Sequence, residues 1–461
     1  MNAFTAVRTT GIYCRPGCSA RPLKQNTLLY ELAAAAEADG FRPCLRCRPY
    51  RSADPAFLTG PDIVCRAVGM ILDGELDSLT EEEMAEKLGV SARHLRRLFI
   101  EHLGVTPSGL ARSTRAHFAR RLLDDTDLTI AEIAFAAGFG SLRQMNRVMR
   151  ETFRATPSEL RTKRRRSDRL VADGGLPLRI PFEGAVDWTA MIDYYGPRAI
   201  PGVERVAGGQ YARTALIDGD PGVLEVSLFD PDHLLVIAHL PHWESLIHIA
   251  RRVAGIFGLN NPTEVPREHL IDDALVGPLV KKNPGVRVPG AWDPFEIGIR
   301  AILEREFSVS ETSEIMGRLA RECGRFVPGL RQLGLTHVFP RPEEVVKSRL
   351  DGLGLPTAAG TAVAALSQAM SKGDLRLESS ADMDDLITSM AAIPGFDITT
   401  AESVAFRLGY RDAFPLRELV RSTADATDIL KRSESWRPWR SLAAAYLLMA
   451  PESLTCHLNQ G

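Results

Sequence analysis

Four cysteines near the N-terminus constrain this chain most tightly. Cys14-Arg-Pro-Gly-Cys18 is followed, after 25 residues, by Cys44-Leu-Arg-Cys47. Each pair spans one tight turn, and two such turns close a tetrahedron of thiolates around a zinc ion. Arginines surround the cysteines: Arg8, Arg15, Arg21, Arg42, Arg46 and Arg48. A zinc-bound thiolate is a potential nucleophile as well as a ligand. With guanidinium groups around it, the target expected is negatively charged. An inert zinc knuckle is the plain alternative.

Length and charge set the frame. A chain of 461 residues should hold several domains of about 100–150 residues. The other three of the seven cysteines, Cys65, Cys323 and Cys456, are scattered, which fits a reducing cytoplasm. No run of 18 apolar residues offers a membrane span, and Met1-Asn2-Ala3-Phe4 opens no signal peptide. The net charge of −2 conceals a split. Residues 1–166 carry 26 basic and 19 acidic residues, a balance of +7, and the remainder carries −9. A basic front is the footprint of nucleic-acid binding.

Periodicity divides the chain into four parts. Residues 1–55 read as a small mixed unit, with a strand over Phe4–Ile12 and an Ala-rich helix near Leu29–Asp39. After a linker at 52–61, residues 60–165 are helical throughout. A second linker, containing Lys163-Arg164-Arg165-Arg166 and Asp173-Gly174-Gly175, precedes an α+β unit at 176–285. That unit is expected to hold strands at Leu178–Phe182, Tyr211–Ile217, Gly222–Phe229 and Leu234–Leu240, and helices at Trp188–Tyr195 and Trp243–Phe257. Helical periodicity returns in 286–461 and runs to Leu458. The fold class expected is multidomain α+β.

The helical stretch 60–165 contains one pattern twice. Ala85 and Ala134 are small enough for two helices to approach, and Gly89 and Gly138 follow four residues later to make a turn. A helix with a polar outer face comes next, as in a helix-turn-helix. Such a helix lies in the major groove of double-stranded DNA. The candidate readers are Arg93, Arg96 and Arg97 in the first unit and Arg143, Gln144, Asn146 and Arg147 in the second. Thr106-Pro107 and Thr156-Pro157 close the two units, and the stretch resembles the AraC-type DNA-binding domain. Two units in one chain can occupy neighbouring groove segments without a dimer. An activator of this kind is expected to engage RNA polymerase.

The phrases Val7-Arg8-Thr9-Thr10-Gly11-Ile12-Tyr13-Cys14-Arg15-Pro16-Gly17-Cys18 and Gly40-Phe41-Arg42-Pro43-Cys44-Leu45-Arg46-Cys47-Arg48-Pro49 resemble the zinc domain of Ada-type adaptive-response regulators. The resemblance implies Zn²⁺ held by Cys14, Cys18, Cys44 and Cys47. It also implies that Cys14 accepts a methyl group from a DNA methylphosphotriester. Losing negative charge at that cluster would lower its repulsion from phosphates and strengthen promoter binding. Members of that family carry a further helix ahead of this strand, whereas here the strand begins at Phe4; the module is trimmed or its start is misassigned.

Residues 176–458 resemble the AlkA-type 3-methyladenine DNA glycosylases, an α+β part followed by a helix-hairpin-helix bundle. Pro284-Gly285-Val286-Arg287-Val288-Pro289-Gly290, Phe295 to Leu303, Ile393-Pro394-Gly395 and Asp412-Ala413-Phe414-Pro415 carry the likeness, with Trp436-Arg437-Pro438-Trp439 behind them. Such enzymes flip an alkylated base into an aromatic pocket, where a carboxylate assists glycosidic cleavage. The functional positions depart from that pattern. The second hairpin glycine is Asp397, expected to repel a phosphate, and three pocket aromatics become Thr399, Ser403 and Leu448. Paired glutamines become Arg305-Glu306, and the catalytic aspartate falls on Glu418, longer by about 1.5 Å. Leu279 falls where the family has an intercalating wedge, and Trp436 and Trp439 are expected to pack helices. The expectation is a methylation-responsive regulator whose glycosylase-like domain is degenerate. The alternatives are a bifunctional regulator and glycosylase using Glu418, or a regulator with a structural zinc and a small-molecule effector.

Overall fold

The computed structural model describes residues 3–20, 22–53, 61–172, 174–261, 263–328, 333–348, 350–377, 381–420 and 426–449. Arg21, Cys456, Leu458 and most of the 52–61 linker lie outside them. The chain forms two compact units: residues 1–183 with 242–252, and residues 184–241 with 253–461.

The first unit begins with a small sheet. Strands Phe4–Val7 and Ile12–Cys14 form an antiparallel hairpin, Thr27–Tyr30 pairs on the other side of the first strand, and Arg42–Pro43 runs parallel to Ile12–Cys14. The single strand expected over Phe4–Ile12 is therefore two. Gly11, at φ +64°, reverses the chain between them, a conformation that costs glycine least. The expected Leu29–Asp39 helix is shorter, Ala33–Ala38, because Thr27–Tyr30 is taken up by the sheet edge. Its alanines permit close packing: a Cβ placed on Gly104 would lie 3.2 Å from that of Ala35. Leu32, Ala34 and Ala35 share one apolar core with Val64, Met84, Leu95, Phe99 and Leu110 of the following helices.

Those helices are Asp62–Leu72, Glu81–Lys87, Ala92–Leu103, Pro107–Asp125, Ile130–Ala136, Leu142–Phe153 and Pro157–Thr162. Their starts follow from sequence. Thr80, Thr129 and Thr156 build capping boxes with Glu83, Glu132 and Glu159, while Ser91 and Ser141 cap the two longer outer helices. Gly89 and Gly138, both at positive φ, make the turns between paired helices, and Ala85 and Ala134 are fully buried at the crossings.

In the second unit, strands Glu204–Ala207, Gln210–Ile217, Asp220–Asp230 and His233–His239 pair antiparallel in sequence order. The first of these, without clear alternation, had no counterpart in the sequence reading. Helix Trp188–Tyr195 lies where expected. Helices Pro294–Leu303, Val309–Cys323, Thr357–Lys372, Met383–Ala391, Ile398–Arg407 and Arg440–Met449 enclose a large apolar core containing Phe406, Phe414, Trp436 and Tyr446. Arg213, 2% exposed, joins strand to bundle through Glu296 at 2.8 Å and Glu204 at 3.4 Å. Trp436 and Trp439 are buried, and the Trp436 indole donates to Asp273 at 2.9 Å, so both pack helices as expected. Among the described residues, no helix is long and apolar enough to cross a membrane.

Candidate functional site

The four cysteines converge because two strands lie side by side. Tyr13 pairs with Pro43, so Cys14 and Cys44 leave the sheet together. A turn through Gly17 at φ +75° returns Cys18, and Arg48 donates its N–H to the Cys44 carbonyl at 2.9 Å to close the loop carrying Cys47. All four sulfurs lie within 4.8 Å of one another. Sulfurs at about 2.3 Å from one zinc ion stand about 3.8 Å apart, so the cage fits the ion. Burial, with the neighbouring thiolates, pushes the metal-free Cys14 thiol up, and Cys47 up to about 12. A dication at the centre opposes that repulsion and holds the sulfurs deprotonated. The site binds Zn²⁺. Cys14 is the buried ligand at 6% exposure; the other three are half-buried.

The arginines divide into two sets. Arg15 and Arg46, next to Cys14 and Cys47 in the chain, are exposed, as is Arg8 beyond the first strand, whereas Arg48 is buried and pairs with Asp168 at 2.8 Å. Arg48 and Arg51 instead anchor the zinc module to Asp124, Asp125 and Asp168.

The candidate DNA readers also differ among themselves. Arg93, Arg143 and Arg147 are exposed on the outer faces of Ala92–Leu103 and Leu142–Phe153. Arg97 is exposed and lies 3.1 Å from His94 Nδ1. Arg96 donates Nε–H to Glu81, whose carboxylate also accepts the Ser108 N–H at 3.0 Å. Gln144 accepts from the Gly140 N–H at 3.0 Å, and Asn146 donates to the Leu142 carbonyl at 2.9 Å. Glu81 gave no separate signal, since it stands in a run of three glutamates.

In the second unit, the hairpin joins helices Met383–Ala391 and Ile398–Arg407. Gly395, at φ +93°, is fixed by contact: a Cβ there would lie 2.2 Å from that of Ala362. Asp397 is the N-cap of the second helix, and its other oxygen pairs with Arg417 at 2.9 Å and Arg305 at 3.7 Å. The carboxylate is thus neutralised within the hairpin, with its pKa lowered to about 2 by these hydrogen bonds and the Arg417 charge against the effect of burial.

Glu418, on helix Leu416–Val420, faces a recess lined by Ile297, Arg300, Ala301, Glu304, Ser403, Arg407 and Arg417. The recess measures about 10 Å³, room for about one water. Tyr194 donates to Glu418 Oε2 at 3.4 Å, and its ring is covered by the guanidiniums of Arg198 at 3.8 Å and Arg407 at 5.5 Å. Burial first, then the charge of Glu304, pushes the Glu418 carboxyl up; Arg198, Arg407 and the Tyr194 hydroxyl oppose them. Sequence reading named Glu418 and Ser403 but missed Tyr194, Arg198, Arg300, Glu304 and Arg407. The one available signal was Arg300–Glu304, an i,i+4 pair at 3.5 Å.

Leu279, expected at the wedge position, is 8% exposed on helix Gly277–Lys282 and packs in the core of the second unit.

A four-thiolate metal module, a doubled helix-turn-helix and an α+β unit with a helical bundle define a DNA-binding regulator joined to a repair-enzyme fold. Residues 2–50 match the family described as the metal binding domain of Ada, residues 84–163 a helix-turn-helix domain, and residues 177–293 the AlkA N-terminal domain. A Mycobacterium tuberculosis protein described as a probable bifunctional transcriptional activator/DNA repair enzyme AlkA is 34% identical over 455 residues, covering 96% of this chain and 91% of its own. The Escherichia coli bifunctional transcriptional activator/DNA repair enzyme Ada is 37% identical over 158 residues, 34% of this chain and 43% of its own. The 3-methyladenine DNA-glycosylase of Archaeoglobus fulgidus shares the fold over 59% of this chain and 98% of its own, with a TM-score of 0.51 at 17% identity. The chain belongs to the family of bifunctional transcriptional activator/DNA repair proteins of Ada/AlkA type.

Proposed function

We propose that this protein is a DNA-alkylation-responsive transcription activator. Cys14 takes the methyl group of a DNA methylphosphotriester, and the resulting loss of charge strengthens promoter binding. The observation that carries this reading is the shared core of the first unit, where Leu32, Ala34 and Ala35 of the zinc module pack with Leu95 and Phe99 of the first recognition helix. Acceptor and DNA readers are thereby one body.

The Cys14 sulfur attacks the methyl carbon, the C–O bond to the triester breaks, and the oxygen leaves as the anion of an ordinary phosphodiester. Bound zinc keeps that sulfur anionic at neutral pH. Cys14 becomes a thioether, so each chain reacts once. Four thiolates outweigh the dication by two charges and three by one, so phosphate repulsion falls. Exposed Arg15 and Arg46 hold the phosphate backbone beside the cage, and Arg93, Arg97, Arg143 and Arg147 contact the promoter.

The glycosylase-like unit excises bases poorly in this reading. The recess is lined by Arg300, Glu304, Arg407 and Arg417 with no aromatic ring among the described residues, and the ring of Tyr194 is already covered by guanidiniums, which supports poor recognition of a flipped purine. The buried carboxyl of Glu418 favours a second reading, in which it still excises alkylated purines after the recess opens. Two measurements test these statements. Mass spectrometry after exposure to a methylphosphotriester duplex should place one added CH₂ on Cys14; an unmodified Cys14 refutes the sensor. Release of 3-methyladenine from alkylated duplex, abolished by Glu418→Gln, refutes the degenerate unit.

A further inference from the structure

Beside Cys14 lies a buried polar cluster that zinc binding does not require. Tyr13, fully buried, donates its hydroxyl to Glu37 Oε1 at 2.6 Å. The same oxygen lies 2.7 Å from His117 Nε2, and Tyr13 Oη lies 3.3 Å from that nitrogen. Glu37 belongs to the Ala33–Ala38 helix of the zinc module, and His117 to the Pro107–Asp125 helix that joins the two helix-turn-helix units. Side-chain exposures of 11% for His117 and 9% for Glu37 place the pair out of water. Burial would raise the Glu37 carboxyl, but the His117 charge and hydrogen bonds from His117, Tyr13 and Ser113 outweigh it, leaving a carboxylate.

The cluster continues into the second recognition helix. The His117 ring lies 6.2 Å from that of Phe153, the last residue of Leu142–Phe153, and the Phe153 ring also meets Tyr50 at 5.7 Å. Arg154, capping that helix, donates to the Gly40 carbonyl of the zinc module at 3.2 Å. Buried carboxylates hold their partners tightly, because an unpaired charge out of water is costly. Close-packed interiors pass displacements on rather than absorb them. Adding a methyl to the side chain of buried Cys14 crowds the end of strand Ile12–Cys14, on which Tyr13 is the neighbouring residue.

We infer that Tyr13, Glu37 and His117 form a latch through which methylation at Cys14 is transmitted to the second recognition helix. This rests on the proposed acceptor role of Cys14 and adds a packing route to the electrostatic one. The latch predicts that methylation changes the second recognition helix even with no DNA present.

The test uses the full zinc-loaded chain, methylated by a methylphosphotriester duplex, stripped of DNA and followed by hydrogen exchange. In the wild type, protection within Leu142–Phe153 should change by about fivefold or more on methylation. Tyr13→Phe keeps the ring packing and removes the hydroxyl, and the double variant Glu37→Leu/His117→Leu replaces the pair with apolar side chains. Both should still gain CH₂ on Cys14 yet lose the exchange response. Methylation with an unchanged response in the variants, or with none in the wild type, overturns the latch alone. Failure to find the adduct on wild-type Cys14 overturns the acceptor role and the latch with it.

Discussion

Asp397 gives the most fully worked prediction, because one carboxylate both caps a helix and neutralises two arginines. Oδ1 accepts the Thr400 N–H at 2.8 Å and the Thr399 and Thr400 hydroxyls at 2.7 and 2.8 Å, while Oδ2 meets Arg417 at 2.9 Å. A fall in pKa from 3.8 to about 2 corresponds to roughly 2.4 kcal/mol before screening. With 42% of the side chain in water, about half or less of that survives, near 1 kcal/mol. The ordinary worth of an N-cap, typically about 1 kcal/mol, agrees. Asp397→Ala should therefore cost about 1–2 kcal/mol in the second unit. Asp397→Asn keeps a capping oxygen and should cost less than the alanine variant. Denaturant unfolding followed by the fluorescence of Trp188, Trp292, Trp436 and Trp439 measures both. The sign with pH follows from a depressed carboxyl: its contribution is complete above the unfolded value of 3.8 and is lost as pH falls towards about 2. The gap between wild type and Asn variant should be full at pH 6 and narrower at pH 3. An alanine variant with an unchanged midpoint, or an asparagine variant as unstable as alanine, refutes the reasoning.

Three further outcomes are expected. Leu279→Ala should destabilise the second unit by about 2–5 kcal/mol, read by denaturant unfolding, and leave the salt dependence of DNA binding unchanged, since its side chain fills core. Arg143→Ala and Arg147→Ala, if each removes a phosphate contact, should reduce the salt slope of DNA binding by about 1 apiece; Arg96→Ala should do less, because Glu81 already holds that guanidinium. Stripping zinc with a chelator should abolish exchange protection in the sheet Phe4–Val7, Ile12–Cys14 and Thr27–Tyr30, whose buried cluster among the described residues is small, Ala6, Tyr13 and Ala36.

What could be read in the chain beforehand was what lies close together along it. The Cys14–Cys18 and Cys44–Cys47 spacings set turn geometry directly, and the Thr80, Ser91, Thr129 and Ser141 caps mark helix starts within three residues. Strand limits were harder: the single strand expected over Phe4–Ile12 runs through the polar stretch Arg8-Thr9-Thr10-Gly11, where Gly11 turns the chain. Convergence over long separations left no local trace. Tyr194 meets Glu418 across 224 positions, and His117 meets Glu37 across 80. Asp397 was legible as a departure from a family pattern, and its cap on Thr399 and Thr400 is local. Its pairing with Arg305 and Arg417 was not, because periodicity does not connect those residues to it. The burial of Leu279 was not legible either, since a loop comparison set its position without regard to the core beneath it.

Glu418 supplies the remaining argument, since its surroundings push its carboxyl up. Burial raises its carboxyl first and the Glu304 charge second, despite Arg198, Arg407 and Tyr194. A raised carboxyl binds its proton more tightly folded than unfolded, so stability falls as pH climbs from the unfolded value of 4.5 through the raised one. Glu418→Gln carries no charge to desolvate. It should match the wild type below pH 4.5 and be more stable than it at pH 7, measured by thermal unfolding of the second unit. A glutamine variant less stable at pH 7 would mean that the arginines dominate and that Glu418 is simply an ion-pair partner. If the gain in stability is found, the glycosylase assay gives it meaning. An ionisable group kept at a cost to the fold is expected where it is retained for chemistry. A stabilising substitution that leaves base release at background marks a relic of the aromatic pocket, whereas one that abolishes release marks the working acid of an altered one.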